Sequence, residues 1–398
     1  MPQGVTRFPA KCIHLLACVI FAGLLCLPAL DTFFRISPQV NLMETEPAPL
    51  PEVSLSKLFK IFNILQKGYL EKTFGFRKLL VRWENMLDIF GLASSTMYHP
   101  VLVGKDAWLF LSQENGDLNV VDNYRGLSLF TPEQLRAWVD IFTERKNWLS
   151  ARGIQYLVVI APNKHTVYSE YLPSQYNRIG GQDRMDQLTG ALEKAGIDVL
   201  DLRETMASIK DKALAYYRTD NHWTTYGAFA AYVEIMKRLG KYFPPMANQL
   251  KGAYDIEISP GLPGGLAYML ALGDKFPEDK VTFIPKEPRK AKPVAVDYSN
   301  PMYFQPPVVM ETGNPDQPRA VVFRDSFAHE LIPFLSEHFS RVVYLWPYPT
   351  ALKNVRLFDR EVIEKEKPQL VIDEFVERYF TEFPPDAASL ARKAAAPE

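Results

Sequence analysis

Residues 154–161 of this chain read IQYLVVIA, a nearly unbroken apolar run that ends at Pro162-Asn163-Lys164. A run of this length without polar alternation is typical of a strand that is covered on both faces of a sheet. Upstream, Thr131-Pro132 starts a predicted helix, with Thr as the N-cap and Pro at the first helical position, that continues to about residue 151. A helix followed by a buried strand is the first sign of an α/β fold.

The same alternation continues along the chain in both directions. Residues 101–111 predict a β-hairpin about the turn Gly104-Lys105-Asp106, and residues 243–318 have no clear periodicity and predict a long irregular insertion. The remaining predicted strands are 198–202, 320–323, 342–346 and 370–372, and the remaining predicted helices are 181–195, 203–214, 226–239, 327–338 and 357–366. Alternating strands and helices predict a central parallel sheet with helices on both faces.

The N-terminal residues are different in kind. Arg7 and Lys11 precede an apolar run at 12–30, which predicts a signal anchor that spans the membrane once and leaves the rest of the chain outside the cytoplasm. A cleaved signal peptide is the alternative, because the run is at the lower limit of length for a membrane span. All three cysteines lie in this run, so the exported part has no disulfide and no thiol nucleophile. A bacterial periplasm is a compatible compartment.

Beyond the anchor (1–30), the sequence predicts a linker and membrane-proximal helical region at 31–100. Its candidate buried positions include Leu80, Trp83 and Leu87. The main domain is predicted at 101–385, and 386–398 is a C-terminal tail.

Composition restricts the class of protein. The chain has 398 residues, a formal net charge of -1 and 47% hydrophobic residues. These values support a substantial core, and the even mixture of acids and bases provides no basic face for nucleic acid.

Reactive groups in open α/β sheets gather beyond the carboxyl ends of the strands. Three segments qualify there: Asn163-Lys164, the stretch TDNHWTTYG at 219–227, and Arg324-Asp325-Ser326. A serine at a strand-to-helix junction is a nucleophile once a base takes its proton, and an imidazole is the suitable base near neutral pH. Ser326, His222 and Asp220 then supply the hydroxyl, the base and the carboxylate that orients the base.

Each of these residues also has a structural interpretation. Asp220 could cap the helix that starts near Trp223, and Ser326 could cap the helix 327–338. Asp220 and His222 could instead join His329-Glu330 in a metal site. Trp223 and the aromatic residues of 344–348 could stack on sugar rings or lie in the core, and Lys164 could attract an anionic polysaccharide or be solvated.

Four stretches together carry a family resemblance: VLVGKDAWLFL at 101–111, APNKHTVYSEYLP at 161–173, YRTDNHWTTYGAFAAY at 217–232 and FRDSFA at 323–328. The chain resembles the AlgJ/AlgX-type proteins, SGNH hydrolase-like enzymes that O-acetylate exopolysaccharides in the periplasm. The resemblance implies a three-layer sandwich with a permuted block order, in which the serine block follows the Asp/His block. It also implies that Asp220, His222 and Ser326 form a catalytic triad.

The chain departs from the SGNH pattern at two places. Arg324 stands where a glycine usually precedes Asp-Ser, and the segment Asp373-Glu374-Phe375 lacks the asparagine that usually donates to the oxyanion. Arg324, Arg378, Asn163 and the insertion are therefore alternative donors, and Lys164 and Trp223 are candidate substrate-binding residues.

The resemblance further implies a polysaccharide acceptor, no cofactor, and two kinds of partner at the inner membrane. One is a multi-pass membrane-bound O-acyltransferase that delivers the acetyl group, and the other is the set of remaining polysaccharide export proteins. A carbohydrate acetylesterase and a non-catalytic glycan-binding scaffold are the alternative functions.

Overall fold

The structure is a computed structural model that describes residues 10–38, 73–91, 100–114, 118–247, 252–298, 300–348, 356–381 and 384. The chain divides into two compact units. One contains the residues up to Thr96 together with Ala267–Lys275, and the other contains Met97–Leu266 and the residues from Phe276 onward. Most of the predicted linker and the tail 386–398 lie outside the described residues.

The described helices and strands are numbered in chain order. The α-helices are α1 Ala10–Phe34, α2 Arg77–Met86, α3 Val120–Arg125, α4 Pro132–Ser150, α5 Lys164–Val167, α6 Arg184–Lys194, α7 Arg203–Ile209, α8 Thr225–Leu239, α9 Gly265–Met269, α10 Ile332–Leu335 and α11 Arg360–Glu366. The strands are β1 Val101–Val103, β2 Leu109–Leu111, β3 Gln113–Glu114, β4 Leu118–Asn119, β5 Gln155–Ala161, β6 Val199–Asp201, β7 Tyr254–Gly261, β8 Glu278–Pro285, β9 Lys292–Pro293, β10 Val308–Glu311, β11 Arg319–Phe323, β12 Arg341–Leu345 and β13 Leu370–Val376.

In the N-terminal unit, α1 contains a segment long and apolar enough to cross a membrane. It spans His14–Phe34, with a mean hydropathy of 2.1 and 6% of its window buried. The prediction that Leu80, Trp83 and Leu87 are buried is wrong, because each is more than half exposed. The apolar and charged residues of α2 are spaced as in an amphipathic helix, but its apolar side chains are not part of a core among the described residues.

The larger unit is built on a seven-stranded sheet with the order β6-β5-β13-β11-β12-β10-β9. The first five strands are parallel, as the alternating pattern predicts. β10 and β9 are antiparallel additions at one edge. Both come from the segment 243–318, so the sheet is mixed rather than wholly parallel.

Both faces of the sheet are covered, and this confirms the predicted three-layer α/β architecture. Leu157, Val159 and Val322 point to one face and pack with α8, whereas Val158, Ile160 and Val321 point to the other and pack with α4, α6 and α11. Successive strand residues alternate between the two faces, so a strand with both faces covered must be apolar at almost every position. This is the reason for the unbroken run at 154–161.

Two helix starts show how local sequence sets the boundaries. Thr131 is the N-cap of α4, as predicted, and it also forms a capping box with Gln134. Thr224 caps α8 by accepting a hydrogen bond from the amide of Gly227. The alternative role of Asp220 as the cap of this helix is therefore wrong.

Three boundaries differ from the predictions. The segment 243–318 is not irregular, since it holds the β7–β8 ribbon and the strands β9 and β10. The predicted helix 327–338 is broken into the 3-10 turn Phe327–Leu331, the short α10 and a second 3-10 turn, with Pro333 in its middle. Strand β13 continues to Val376, so Asp373-Glu374-Phe375 lie within the strand instead of at its end.

His165 yields a prediction about stability and pH. The ring is buried 5.1 Å from that of Phe110, and burial, with the charges of Lys164 and Arg378, lowers its pKa to about 3. The unfolded chain binds this proton near pH 6.5, so the stability contributed by the neutral ring falls as pH drops below that value. We expect His165→Phe to reduce the pH dependence of the unfolding free energy between pH 6.5 and 5 by up to about 1.4 kcal/mol per pH unit. Denaturant titrations at several pH values measure this, and an unchanged slope would contradict it.

Candidate active site

Ser326 lies beyond the carboxyl end of β11, where the chain turns into the 3-10 helix Phe327–Leu331. Its side chain makes no capping hydrogen bond, so the alternative role as a helix cap is wrong. The hydroxyl instead lies 2.8 Å from Nε2 of His222, 104 residues earlier in the chain. The structure thus brings a potential nucleophile and a potential base into hydrogen-bond contact.

The carboxylate of Asp220 is on the other side of the imidazole. Its Oδ1 lies 2.6 Å from Nδ1 of His222 and also accepts the backbone amide of His222 at 3.0 Å. Burial acts to raise the pKa of Asp220, but the hydrogen bonds from His222 and Gly265 outweigh it and hold the pKa well below its usual range. An ionised carboxylate only accepts, so Nδ1 carries the proton and Nε2 is left to accept from the serine.

A tight turn presents these two residues. Tyr216 and Trp223 form an antiparallel bridge, and the amide of Tyr217 donates to the carbonyl of His222 at 3.2 Å. The indole of Trp223 donates to the carbonyl of Phe327 at 2.9 Å and links the turn to the serine segment. Trp223 is 1% exposed, which supports its alternative interpretation as a core residue, although it also contributes to the lining of the cavity at Ser326.

Asn163 and Lys164 follow β5, as predicted, but they do not act as exposed substrate-binding residues. They are 3% and 2% exposed, and neither lines the cavity at Ser326. The Lys164 ammonium donates to the carbonyls of Tyr217, Arg218 and Asp220. Both predicted uses of Lys164, in attracting a polysaccharide and as a solvated residue, are wrong because the side chain is directed inward.

The two arginines predicted as oxyanion donors are also buried. Arg324 is 1% exposed, packs 4.6 Å from the ring of Trp346 and donates to the carbonyl of Asp325. Arg378 is 3% exposed and lies 5.4 Å from the ring of Phe327. Neither lines the cavity, so the structure does not support their predicted role as oxyanion donors.

Asn221 connects Arg378 to the triad carboxylate. With the amide oriented to satisfy both of its ends, its nitrogen donates to Oδ1 of Asp220 at 2.9 Å and its oxygen accepts from Arg378 at 3.0 Å. Arg378 therefore supports the turn from behind.

Sequence reasoning missed the contribution of the segment 243–318. The amide of Gly265 donates to Oδ2 of Asp220 at 2.6 Å, and the amide of Gly264 donates to the hydroxyl of Thr219 at 2.7 Å. Oε2 of Glu278 accepts from the amide and the hydroxyl of Thr219 at 2.7 and 2.8 Å. The glycine pair in PGLPGGLAY was the available signal for a close backbone approach, whereas nothing local marked Glu278.

A cavity of about 690 Å³ opens onto Ser326 and His222. One wall comes from the ends of β7 and β8 and the loop after β7, and the other comes from the serine segment and Trp346. Beside the triad, its lining residues are Tyr217, Trp223, Pro260, Gly261, Leu262, Pro263, Gly264, Glu278, Asp279, Lys280, Gln305, His329, Glu330 and Trp346. The volume is larger than an acetyl group requires, so a second reactant has room beside the serine.

The backbone amides at the start of the serine segment are further candidate donors for an oxyanion. The amide of Phe327 is not available, because it donates to Oδ1 of Asp325 at 2.8 Å. Among the described residues, the amide of Ser326 has no such acceptor. The amide of Ser326 is therefore the local candidate for donating a hydrogen bond to the oxyanion.

The metal alternative has no support in the part of the chain that the structure describes, where no group of three His, Cys, Asp or Glu side chains is placed to hold an ion. Asp220 and His222 bond to each other instead, and the carboxylate of Glu330 accepts from the hydroxyl of Thr225.

A three-layer α/β fold in which an aspartate and a histidine on a turn between two helices contact a serine beyond the end of a strand is typical of SGNH hydrolase-like proteins. Residues 101–297 match the family described as "SGNH hydrolase-like domain, acetyltransferase AlgX". The chain is similar to this family over these residues, and the resemblance found in the sequence is confirmed.

Individual relatives agree with this family. The chain is 26% identical over 149 residues to the probable alginate O-acetylase AlgJ of Pseudomonas syringae pv. tomato, covering 36% of this chain and 34% of that protein. It is 23% identical over 297 residues to the probable alginate O-acetylase AlgJ of Azotobacter vinelandii, covering 70% and 69%. The match thus spans about a third of the Pseudomonas relative.

A solved structure shares the fold. Bacillus cereus PatB1 superimposes with a TM-score of 0.53 at 19% identity, over 71% of this chain and 97% of that one. At this identity the likeness extends to the fold alone.

Proposed function

We propose that this chain is an O-acetyltransferase that acetylates hydroxyl groups of a polysaccharide through an acyl-serine intermediate. The observation that carries the proposal is the continuous chain of contacts from Asp220 to His222 to Ser326 at 2.6 and 2.8 Å, open to a cavity of about 690 Å³. The family domain and the names of the AlgJ relatives support acetyl transfer as the reaction.

The first half-reaction transfers the acetyl group to the protein. Nε2 of His222 takes the proton of Ser326 while Oγ forms a bond to the acetyl carbon of the donor ester. Asp220 stabilises the imidazolium, and the amide of Ser326 donates to the developing oxyanion. The donor's bond to the acetyl carbon then breaks, its leaving oxygen receives the proton from Nε2, and an acetyl-serine remains.

The second half-reaction uses the same groups in reverse. A sugar hydroxyl in the cavity gives its proton to Nε2 and bonds to the acetyl carbon, and the bond to Oγ breaks as Ser326 regains a proton. Water competes for the same intermediate. A bound hydroxyl prevails when the cavity holds it in place, because positioning is equivalent to an effective concentration on the order of 10⁵ M or more.

The partition between sugar and water is the test of the function. The purified domain beyond α1 would be incubated with a chromogenic acetyl ester, with and without polysaccharide oligomers. We expect acetylated oligomer in the product and a fall in the share of free acetate as oligomer is added. Free acetate alone at every oligomer concentration would identify an acetylesterase with the same residues. If no reaction depended on Ser326, the chain would be a non-catalytic glycan-binding scaffold, which is the remaining alternative function.

The proposal places the domain in the periplasm, anchored to the inner membrane by the segment His14–Phe34. Acetyl-CoA is cytoplasmic, and α1 is a single apolar helix near the N-terminus, so this chain needs a donor that carries acetyl groups across the membrane. A multi-pass membrane-bound O-acyltransferase is the proposed donor, and other polysaccharide export proteins are the proposed partners. Co-purification from detergent with and without α1 would test this arrangement.

A further inference from the structure

Lys164 is a buried charge for which the proposed reaction has no direct use. It lies 2% exposed at the start of α5, with its ammonium 5.5 Å from the ring of Trp108 and 5.1 Å from that of Phe110. A buried ammonium is costly unless each of its N–H groups finds an acceptor. The β1–β2 hairpin that supplies these rings covers the side chain, so its donors are directed away from solvent.

All three N–H groups of the Lys164 ammonium donate to main-chain carbonyls of one short turn. The Nζ atom lies 3.0 Å from the carbonyl of Tyr217, 3.0 Å from that of Arg218 and 2.6 Å from that of Asp220. Three carbonyls that point to one ammonium fix the peptide planes of the turn. The turn then presents the Asp220 side chain in one orientation.

The segment after β7 holds the same turn through different atoms. Gly265 donates to Oδ2 of Asp220 at 2.6 Å, which leaves Oδ1 directed to the imidazole of His222. Gly264 and Glu278 bind Thr219, the residue before Asp220, by its amide and hydroxyl. Both oxygens of the carboxylate therefore have assigned partners.

The approach at Gly264 is too close for any side chain. A Cβ there would lie 2.5 Å from the carbonyl oxygen of Thr219 and 2.6 Å from Cβ of Asp220. Because neither of these atoms is the end of a flexible side chain, the turn or the loop would have to move. Gly181 is a matched position, since a Cβ there has nothing within 4 Å.

We propose that Lys164 and the loop Gly264–Gly265 are positioning residues that act together on Asp220, and through it on the orientation of the His222 imidazole. The inference rests on the proposed function, because it requires the triad to be catalytic. It assigns part of the segment 243–318 to the catalytic apparatus. Lys164 does not line the cavity, and the loop acts on the turn through the contacts of Gly264 with Thr219 and of Gly265 with Asp220.

The experiment measures kcat and KM for hydrolysis of the chromogenic acetyl ester against pH. We expect Lys164→Met to lower kcat about 10²-fold, in line with an ångström-scale displacement of a catalytic group, and to change KM much less. The acidic limb of the kcat/KM profile should move to lower pH, because an imidazolium that loses its carboxylate partner releases its proton more readily. Lys146→Met is the matched control, since that half-buried lysine also donates to a carbonyl, that of Gly196, away from the cavity.

A double-mutant cycle separates positioning from general damage. If Lys164 acts through Asp220, Lys164→Met should cost little further activity in an Asp220→Asn background. Equal losses in both backgrounds, or a pH profile that does not move, would overturn the proposal. A wild-type protein without serine-dependent activity would instead refute the proposed function.

If Lys164→Met fails to fold, Gly264→Ala tests the same positioning of Asp220 from the other side of the turn. We expect the same direction of change in kcat and in the acidic limb, with Gly181→Ala close to the wild type. Thermal unfolding of each variant reports whether it is folded. A folded Gly264→Ala protein with wild-type kinetics would overturn the role of the loop.

Discussion

Replacing Ser326 by Ala is expected to reduce acetyl transfer and ester hydrolysis by 10⁴-fold or more, in the range found when a triad nucleophile is removed. The hydroxyl is hydrogen-bonded to Nε2 of His222 at 2.8 Å, and no acyl intermediate can form without it. The measurement is the rate of acetate release together with intact-protein mass spectrometry of the acyl-enzyme. The wild type should gain the mass of one acetyl group and the variant should not.

Ser208→Ala is the matched control for this substitution. Ser208 is exposed, and its hydroxyl donates to the carbonyl of Thr205 within one helical turn. We expect unchanged kinetics and the same acyl-enzyme as in the wild type. Polymer that is still acetylated by a folded Ser326→Ala protein would refute the nucleophile and would favour the scaffold function.

Replacing Asp220 by Asn is expected to lower kcat by on the order of 10⁴-fold while leaving the fold intact. An amide nitrogen at Oδ1 would donate toward Nδ1 of His222, so the proton would move to Nε2 and the base could no longer accept from Ser326. The missing negative charge would also shift the acidic limb of the pH profile to lower pH. Steady-state kinetics between pH 5 and pH 9 measure both effects.

Asp279→Asn is a useful comparison for Asp220→Asn. Asp279 also lines the cavity, but it is exposed and has no contact with the imidazole among the described hydrogen bonds. We expect it to change KM for an acceptor more than kcat for ester hydrolysis. If the two variants lost the same amount of kcat, the effect of Asp220 would be one of cavity charge and not of orientation.

Much of the architecture was predictable because it depends on local patterns. The apolar run at 154–161 indicates a strand with both faces covered, and the Thr131-Pro132 pair marks a helix start with a capping box. Each of these signals acts over a few residues, where the periodicity of burial and the pairing of backbone donors leave few alternatives. The antiparallel strands β9 and β10 were missed because they are short and lie in a segment rich in Pro and Gly.

The candidate site was predicted from motifs and not from local patterns of burial. Family-like motifs identified Asp220, His222 and Ser326 but did not give their geometry. The burial of the polar residues was not predictable. Lys164 and Arg324 were interpreted as facing solvent or substrate, because a charged residue at a strand end is usually solvated. The structure buries both, since the β1–β2 hairpin covers one and Trp346 packs on the other.

The residue pattern alone established the alternation of strands and helices, the apolar N-terminal segment and the presence of a hydroxyl, an imidazole and a carboxylate at strand ends. Tertiary structure alone decided which atoms meet. Packing brings together His222 and Ser326, which are 104 positions apart, and the amide of Gly265 reaches Asp220 from 45 positions away. Contacts at such separations depend on how whole layers pack, and no local preference of the chain encodes them.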